Sequence, residues 1–164
     1  MTHGRPPRKP RRIHDPRLVV QQLNSPLTPA ELQRIQTTLD NCLTALRRVR
    51  YTETHVQALH TFWRIAADIE RSGIVKGFAA QIAAAKQATT AIFSRCTSPG
   101  GWRPRPLHGS EITALDDMAY YYMYTVRQLS YGEMWRFQET VTHRARSTGE
   151  QVANVRVESL RIDD

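Results

Sequence analysis

Thr28-Pro29-Ala30-Glu31-Leu32-Gln33-Arg34-Ile35-Gln36-Thr37-Thr38-Leu39-Asp40-Asn41-Cys42-Leu43-Thr44-Ala45-Leu46 carries a helix start and a helix face in one run. Thr28 and Glu31 have the spacing of a capping box, in which each side chain satisfies the other's free backbone N–H, and Pro29 sits where a missing N–H costs nothing. Leu32, Ile35, Leu39, Cys42, Leu43, Leu46 and Val49 then recur at steps of three and four, one apolar stripe that predicts a helix over 29–50. Arg47, Arg48 and Arg50 crowd its end, where cations meet the negative pole of the helix.

The flanking segments repeat the pattern. Upstream, Asp15-Pro16 reads as cap and first residue of a short helix, with Leu18, Val19 and Leu23 apolar and Asn24-Ser25-Pro26 as the stop. Downstream, Thr52 caps a helix whose face is Val56, Leu59, Phe62, Trp63, Ala66 and Ile69, and Ser72-Gly73 ends it. An alanine-rich helix is predicted from about 75 to 96, with Phe78, Ile82, Ala85, Ile92, Phe93 and Cys96 on one side. Three prolines and three glycines make 97–110 a long loop, excluding helix and central strand alike. Ser110 is the expected cap of the next helix, with Ile112, Leu115, Met118, Ala119, Tyr122, Val126 and Leu129 inward. Ser130 and Glu133 form a second box, which predicts a break and a last helix at 132–147 on Met134, Phe137 and Val141.

Both ends read differently. Pro6, Pro7 and Pro10 deny residues 1–14 regular hydrogen bonds, so they are expected to be a disordered basic arm. Val155, Val157, Leu160 and Ile162 alternate with polar residues apart from one slipped step, which predicts an extended tail at 150–164. The expected fold is therefore all-α: an antiparallel bundle of four to five helices at 15–149, between arm and tail.

The chain has 164 residues, enough for one domain, and a net charge of +8. Arg5, Arg8, Lys9, Arg11, Arg12 and Arg17 face only Asp15, so the first 17 residues carry +5 and the remaining 147 only +3. Six cations without an interleaved aromatic suit phosphate or carboxylate contacts but offer no base-stacking platform. The arm is either such a contact element or a passive tail.

Familiar chemistry is not legible, and no enzyme is expected. Gly100-Gly101 lacks the residues of a phosphate loop, and no serine lies in a nucleophile motif. His55 and His60 are five residues apart, so they diverge on a helix, and neither metal nor cofactor is expected. Cys42 and Cys96 fall among apolar neighbours and read as buried thiols. No run is long and apolar enough for a membrane span and no secretory pattern follows the basic start, so a cytoplasmic protein is the expectation.

Tyr120, Tyr121, Tyr122 and Tyr124, with Met118 and Met123, cover more than one helix face and cannot all enter one core stripe. They are either half core and half amphipathic rim, or a partner surface of the composition that interfaces favour. Tyr122 is expected inside, while Tyr120, Tyr121, Tyr124 and Trp135 are the candidate surface. Trp102 is either a loop anchor or an exposed recognition residue.

The basic Pro/Arg head, the Pro26-Leu27-Thr28-Pro29-Ala30-Glu31 start, the alanine-rich helix and the Gly101-Trp102 turn ahead of the closing helices together resemble uncharacterised small helical proteins carried by phages and plasmids of Gram-negative bacteria. The resemblance spans about residues 5–147, implies a mobile-element setting and supplies no site residues. The expected function is thus non-catalytic: an accessory protein that binds a host or element protein through the tyrosine surface and the arm. A direct, weakly sequence-specific DNA- or RNA-binding protein is the alternative. A homo-oligomer is compatible with either, and no membrane partner is expected.

Overall fold

The computed structural model describes residues 16–149; the predicted arm at 1–14, Asp15 and the predicted tail at 150–164 lie outside the described residues. The fold is all-α. Among the described residues six helices follow in order: α1 Pro16–Asn24, α2 Pro29–Arg47, α3 Glu53–Ser72, α4 Ala79–Cys96, α5 Gly109–Val126 and α6 Tyr131–Thr148. Helices α2 to α6 are the five of the predicted bundle, and α1 is the short helix before them. The 97–110 loop holds no central strand, but it does contain a two-residue hairpin, not predicted, in which β1 (Thr97–Ser98) pairs antiparallel with β2 (Gly101–Trp102). A glycine with φ of +96° at Gly101 permits so tight a turn.

Both predicted capping boxes are present. At α2 the Glu31 carboxylate accepts the Thr28 N–H at 2.9 Å and Glu31 N donates to Thr28 Oγ1. At α6 Ser130 and Glu133 repeat the arrangement and separate α6 from α5. Three boundaries differ from expectation. Helix α2 stops at Arg47, because Val49 adopts a left-handed φ of +54° and leaves the stripe, 37% exposed. Helix α4 begins at Ala79, because Gly77 has φ of +105° and the Glu70 carboxylate accepts the N–H groups of Gly77 and Phe78. Helix α5 begins at Gly109, with His108 rather than Ser110 as cap and Glu111 accepting the His108 N–H.

The most extensive packing joins α3 to α4 and α4 to α5, where the small side chains of Ala85 and Ala88 let backbones approach. The core runs through Ile35, Leu39 and Leu46 of α2, Leu59, Phe62, Ile65 and Ile69 of α3, Ile92 of α4, and Leu115, Met118 and Tyr122 of α5. Tyr122 faces inward as expected, edge-on to Phe62. Burial pushes its phenol well above the usual tyrosine range.

Helix α6 packs on α3 and α1. Asp68, buried on α3, accepts hydrogen bonds from Arg144 of α6 and Arg71 of its own helix. The segment after α1 is tied down by a hydrogen bond from Tyr131 N to Ser25 O at 2.8 Å and a bridge between Pro26 and Ser130. Here α1 and α6 approach so closely that a Cβ on Gly132 would lie 2.8 Å from the Leu23 carbonyl oxygen. That contact is backbone and cannot rotate away. Gly132→Ala should therefore destabilise the protein by about 1–3 kcal/mol despite alanine's better helix propensity. A denaturation midpoint equal to or above that of the parent would contradict the close approach.

Candidate protein-interaction surface

Position along α5 sorts the four tyrosines. Tyr122 enters the core, Tyr121 is half-buried, and Tyr120 and Tyr124 point outward with 71% and 50% of their surface exposed. A helical turn of 3.6 residues makes this division unavoidable, since 120 and 124 share a face and 122 lies opposite. The exposed rings are not loose. Tyr120 meets Tyr121 edge-on at 5.5 Å between centroids, Tyr124 meets Phe78 edge-on at 5.8 Å, and Tyr121 lies tilted on Phe78 at 4.6 Å. Phe78 therefore braces the row from the start of α4.

On the other side of Tyr120 and Tyr124, helices α2 and α5 run antiparallel and leave an open groove of about 360 Å³. Leu43, Ala119 and Met123 form an apolar floor. Arg47 and Asp116 close one end through an ion pair, both partly exposed, and Gln36, Asp40 and Arg127 line the other. Gln36 donates to Asp40 Oδ1 at 3.0 Å, whereas the Arg127 guanidinium has no bonded partner among the described residues. The groove thus offers apolar contact in its middle and charge of both signs at its ends.

The other predicted site residues fall elsewhere. Trp135 is 41% exposed on α6, and the groove lining does not include it. Arg17 is exposed on α1, and Arg5, Arg8, Lys9, Arg11 and Arg12 lie outside the described residues. Trp102 sits half-buried as a loop anchor: its indole N–H donates to Tyr51 O at 3.3 Å and its ring meets Tyr51 and Phe93 edge-on.

Sequence reasoning passed over Tyr51 altogether. It is 1% exposed, its hydroxyl donates to Arg105 O at 2.6 Å and accepts from Arg105 N at 3.1 Å, and Cys96 Sγ lies 3.1 Å away. Burial, assisted by the Cys96 contact, pushes its phenol up to about 12. Cys42 and Cys96 are buried free thiols, as expected, and burial raises Cys42 to about 11, far from a reactive thiolate. Among the described residues no three His, Cys, Asp or Glu side chains gather as metal ligands, and no helix is long and apolar enough to cross a membrane.

No protein-family model, curated protein or solved structure matches this chain.

Proposed function

We propose that the protein is a non-catalytic accessory protein of the cytoplasm that binds another protein through the groove between α2 and α5. The observation that carries this reading is the exposure of Tyr120 and Tyr124 as braced rings at the rim of an apolar-floored groove. Tyrosine offers large contact area with few rotors, and rings already held by neighbours lose little entropy on binding. A groove between two helices fits an amphipathic helix of the partner, its apolar side over Leu43 and Met123 and its charges against Arg127 and Asp40. The basic arm would add electrostatic attraction, and the mobile-element setting is carried by the sequence resemblance alone.

The test places a photo-reactive benzoylphenylalanine at position 120 or at position 135 in cells that encode the protein. A discrete adduct is expected from position 120, reduced at least tenfold by Tyr124→Ala, as for removal of a central contact residue. The Tyr120→Ala/Tyr124→Ala variant should keep its unfolding free energy within about 1 kcal/mol of the parent, because both rings are largely outside the core. Equal adducts from both positions, or none from position 120, would overturn the reading. An adduct with a second copy of the chain would replace the foreign partner by a dimer.

A further inference from the structure

Four arginines converge at one end of the bundle from two loops that are distant in sequence. Arg48 and Arg50 follow α2, where Arg48 N donates to Thr44 O and Arg50 N to Ala45 O at 3.1 and 3.0 Å. Arg103 and Arg105 follow the hairpin, where Arg103 N donates to Cys96 O at 2.8 Å and the backbone of Arg105 is held at both its N–H and its carbonyl by Tyr51 Oη. Trp102 closes the arrangement by donating to Tyr51 O, the residue next to Arg50. One buried tyrosine therefore fixes both loops, and all four arginines are exposed.

Their neighbours show what these four lack. Arg47 pairs with Asp116 and Arg95 with Glu111, so two nearby carboxylates of α5 are already occupied. Glu53, in the first turn of α3, bonds Gln57 and offsets one charge. Among the described residues none of the guanidinium groups of Arg48, Arg50, Arg103 or Arg105 has a hydrogen-bond or ion-pair partner. The near balance of charge along the body thus conceals a local excess: Asp116 and Glu111, the α5 acids bonded near this end, are taken up by Arg47 and Arg95 and do not neutralise these four.

We infer that this end of the bundle is a binding surface for the phosphodiester backbone of duplex nucleic acid. Guanidinium forks match phosphate oxygens in charge and in geometry, and four held on anchored backbone lose less entropy than four on a loose chain. Duplex is favoured over single strand because Tyr51 is buried and Trp102, the partly exposed aromatic beside them among the described residues, spends its N–H on Tyr51 and its ring on Tyr51 and Phe93. Half-buried and engaged in this way, it is a poor platform for an unstacked base. Phosphate contacts position without reading sequence, so preference among sequences should be weak. This surface is separate from the tyrosine groove and its test is independent of the protein-partner reading.

Fluorescence anisotropy on the full chain, with labelled DNA and RNA duplexes across a salt series, tests it. Replacing Arg48, Arg50, Arg103 and Arg105 together by serine should weaken binding at least tenfold. It should also reduce the slope of log affinity against log salt by about 3–4, from ~0.9 per phosphate contact. The charge-matched control, serine at Arg34, Lys76, Arg136 and Arg146, should change affinity less than threefold. On the unaltered chain, bound duplex should protect Arg48, Arg50, Arg103 and Arg105 from phenylglyoxal but leave Arg136 and Arg146 reactive, a readout that does not depend on how any variant folds. Equal weakening by both quadruple variants, uniform phenylglyoxal reactivity, or failure of the parent to bind either duplex at 50 mM salt would overturn the proposal. So would tighter binding to polyglutamate or to anionic vesicles than to duplex at matched salt.

Discussion

Leu39→Ala should lower the unfolding free energy by about 2–5 kcal/mol, the range for truncating a fully enclosed leucine. Leu39 has no exposed surface and lies midway along α2 in the core shared by all five bundle helices. Alanine is the better helix former, so local propensity works against the loss and the measured deficit reports packing alone. Val49→Ala provides the contrast. Val49 continues the same apolar periodicity in sequence but has turned into the left-handed region and is 37% exposed. Its substitution should fall within about 0.5 kcal/mol of the parent. Urea titration with an unchanged slope checks both, since the midpoint then reads stability directly. A loss below about 1 kcal/mol at Leu39 would refute the stripe as the seat of the core.

The contrast between these two residues marks how far periodicity reaches. Apolar spacing placed the helices because burial of one face is their main source of stability, and the boxes at Thr28/Glu31 and Ser130/Glu133 are local enough to read directly. Of the missed boundaries, the start of α4 has its cause in another helix. Glu70 holds Gly77 and Phe78 from the preceding helix, seven and eight residues away, so no window of helix propensity could have moved the start of α4. His108 and Glu111 did carry a legible signal, a box-like spacing of three, which the more usual cap Ser110 obscured.

The candidate surfaces divide in the same way. Four tyrosines on one and a half turns cannot share a face, and that argument alone separates 122 from 120 and 124. Bracing by Phe78 and the groove against α2 depend on helix packing and had no sequence signature. The arginine end depends on Tyr51 meeting Arg105 across 54 residues of chain. Counting charges by segment gave a nearly neutral body because it could not show which arginines Asp116 and Glu111 neutralise.

Glu111 is the residue whose loss should combine a large stability cost with a change in pH response. Its carboxylate receives both terminal nitrogens of Arg95, at 2.8 and 2.7 Å, and the His108 N–H at 2.8 Å, and thereby clamps the end of α4 to the start of α5. Burial on its own would raise the carboxyl pKa, but those donors and the attraction of the Arg95 charge outweigh it and hold the group below its usual value of 4.5. The same pairing keeps the Arg95 guanidinium charged more firmly than usual, against the cost of its burial. A carboxyl depressed in the folded state stabilises the fold fully above the unfolded value and loses that contribution as pH falls through the folded one. Glu111→Gln should therefore lower stability at neutral pH by about 1–3 kcal/mol, since it leaves a half-buried guanidinium without its counter-charge. It should also flatten the decline of stability on acidification below about pH 4.5, because the variant has no proton to take up at this position. Urea midpoints collected from pH 7 down to pH 3 decide the matter. Parallel curves for parent and variant would mean that the ion pair is not what acid breaks, and the joint between α4 and α5 would then rest on the packing of Ile92, Cys96 and Leu115 alone.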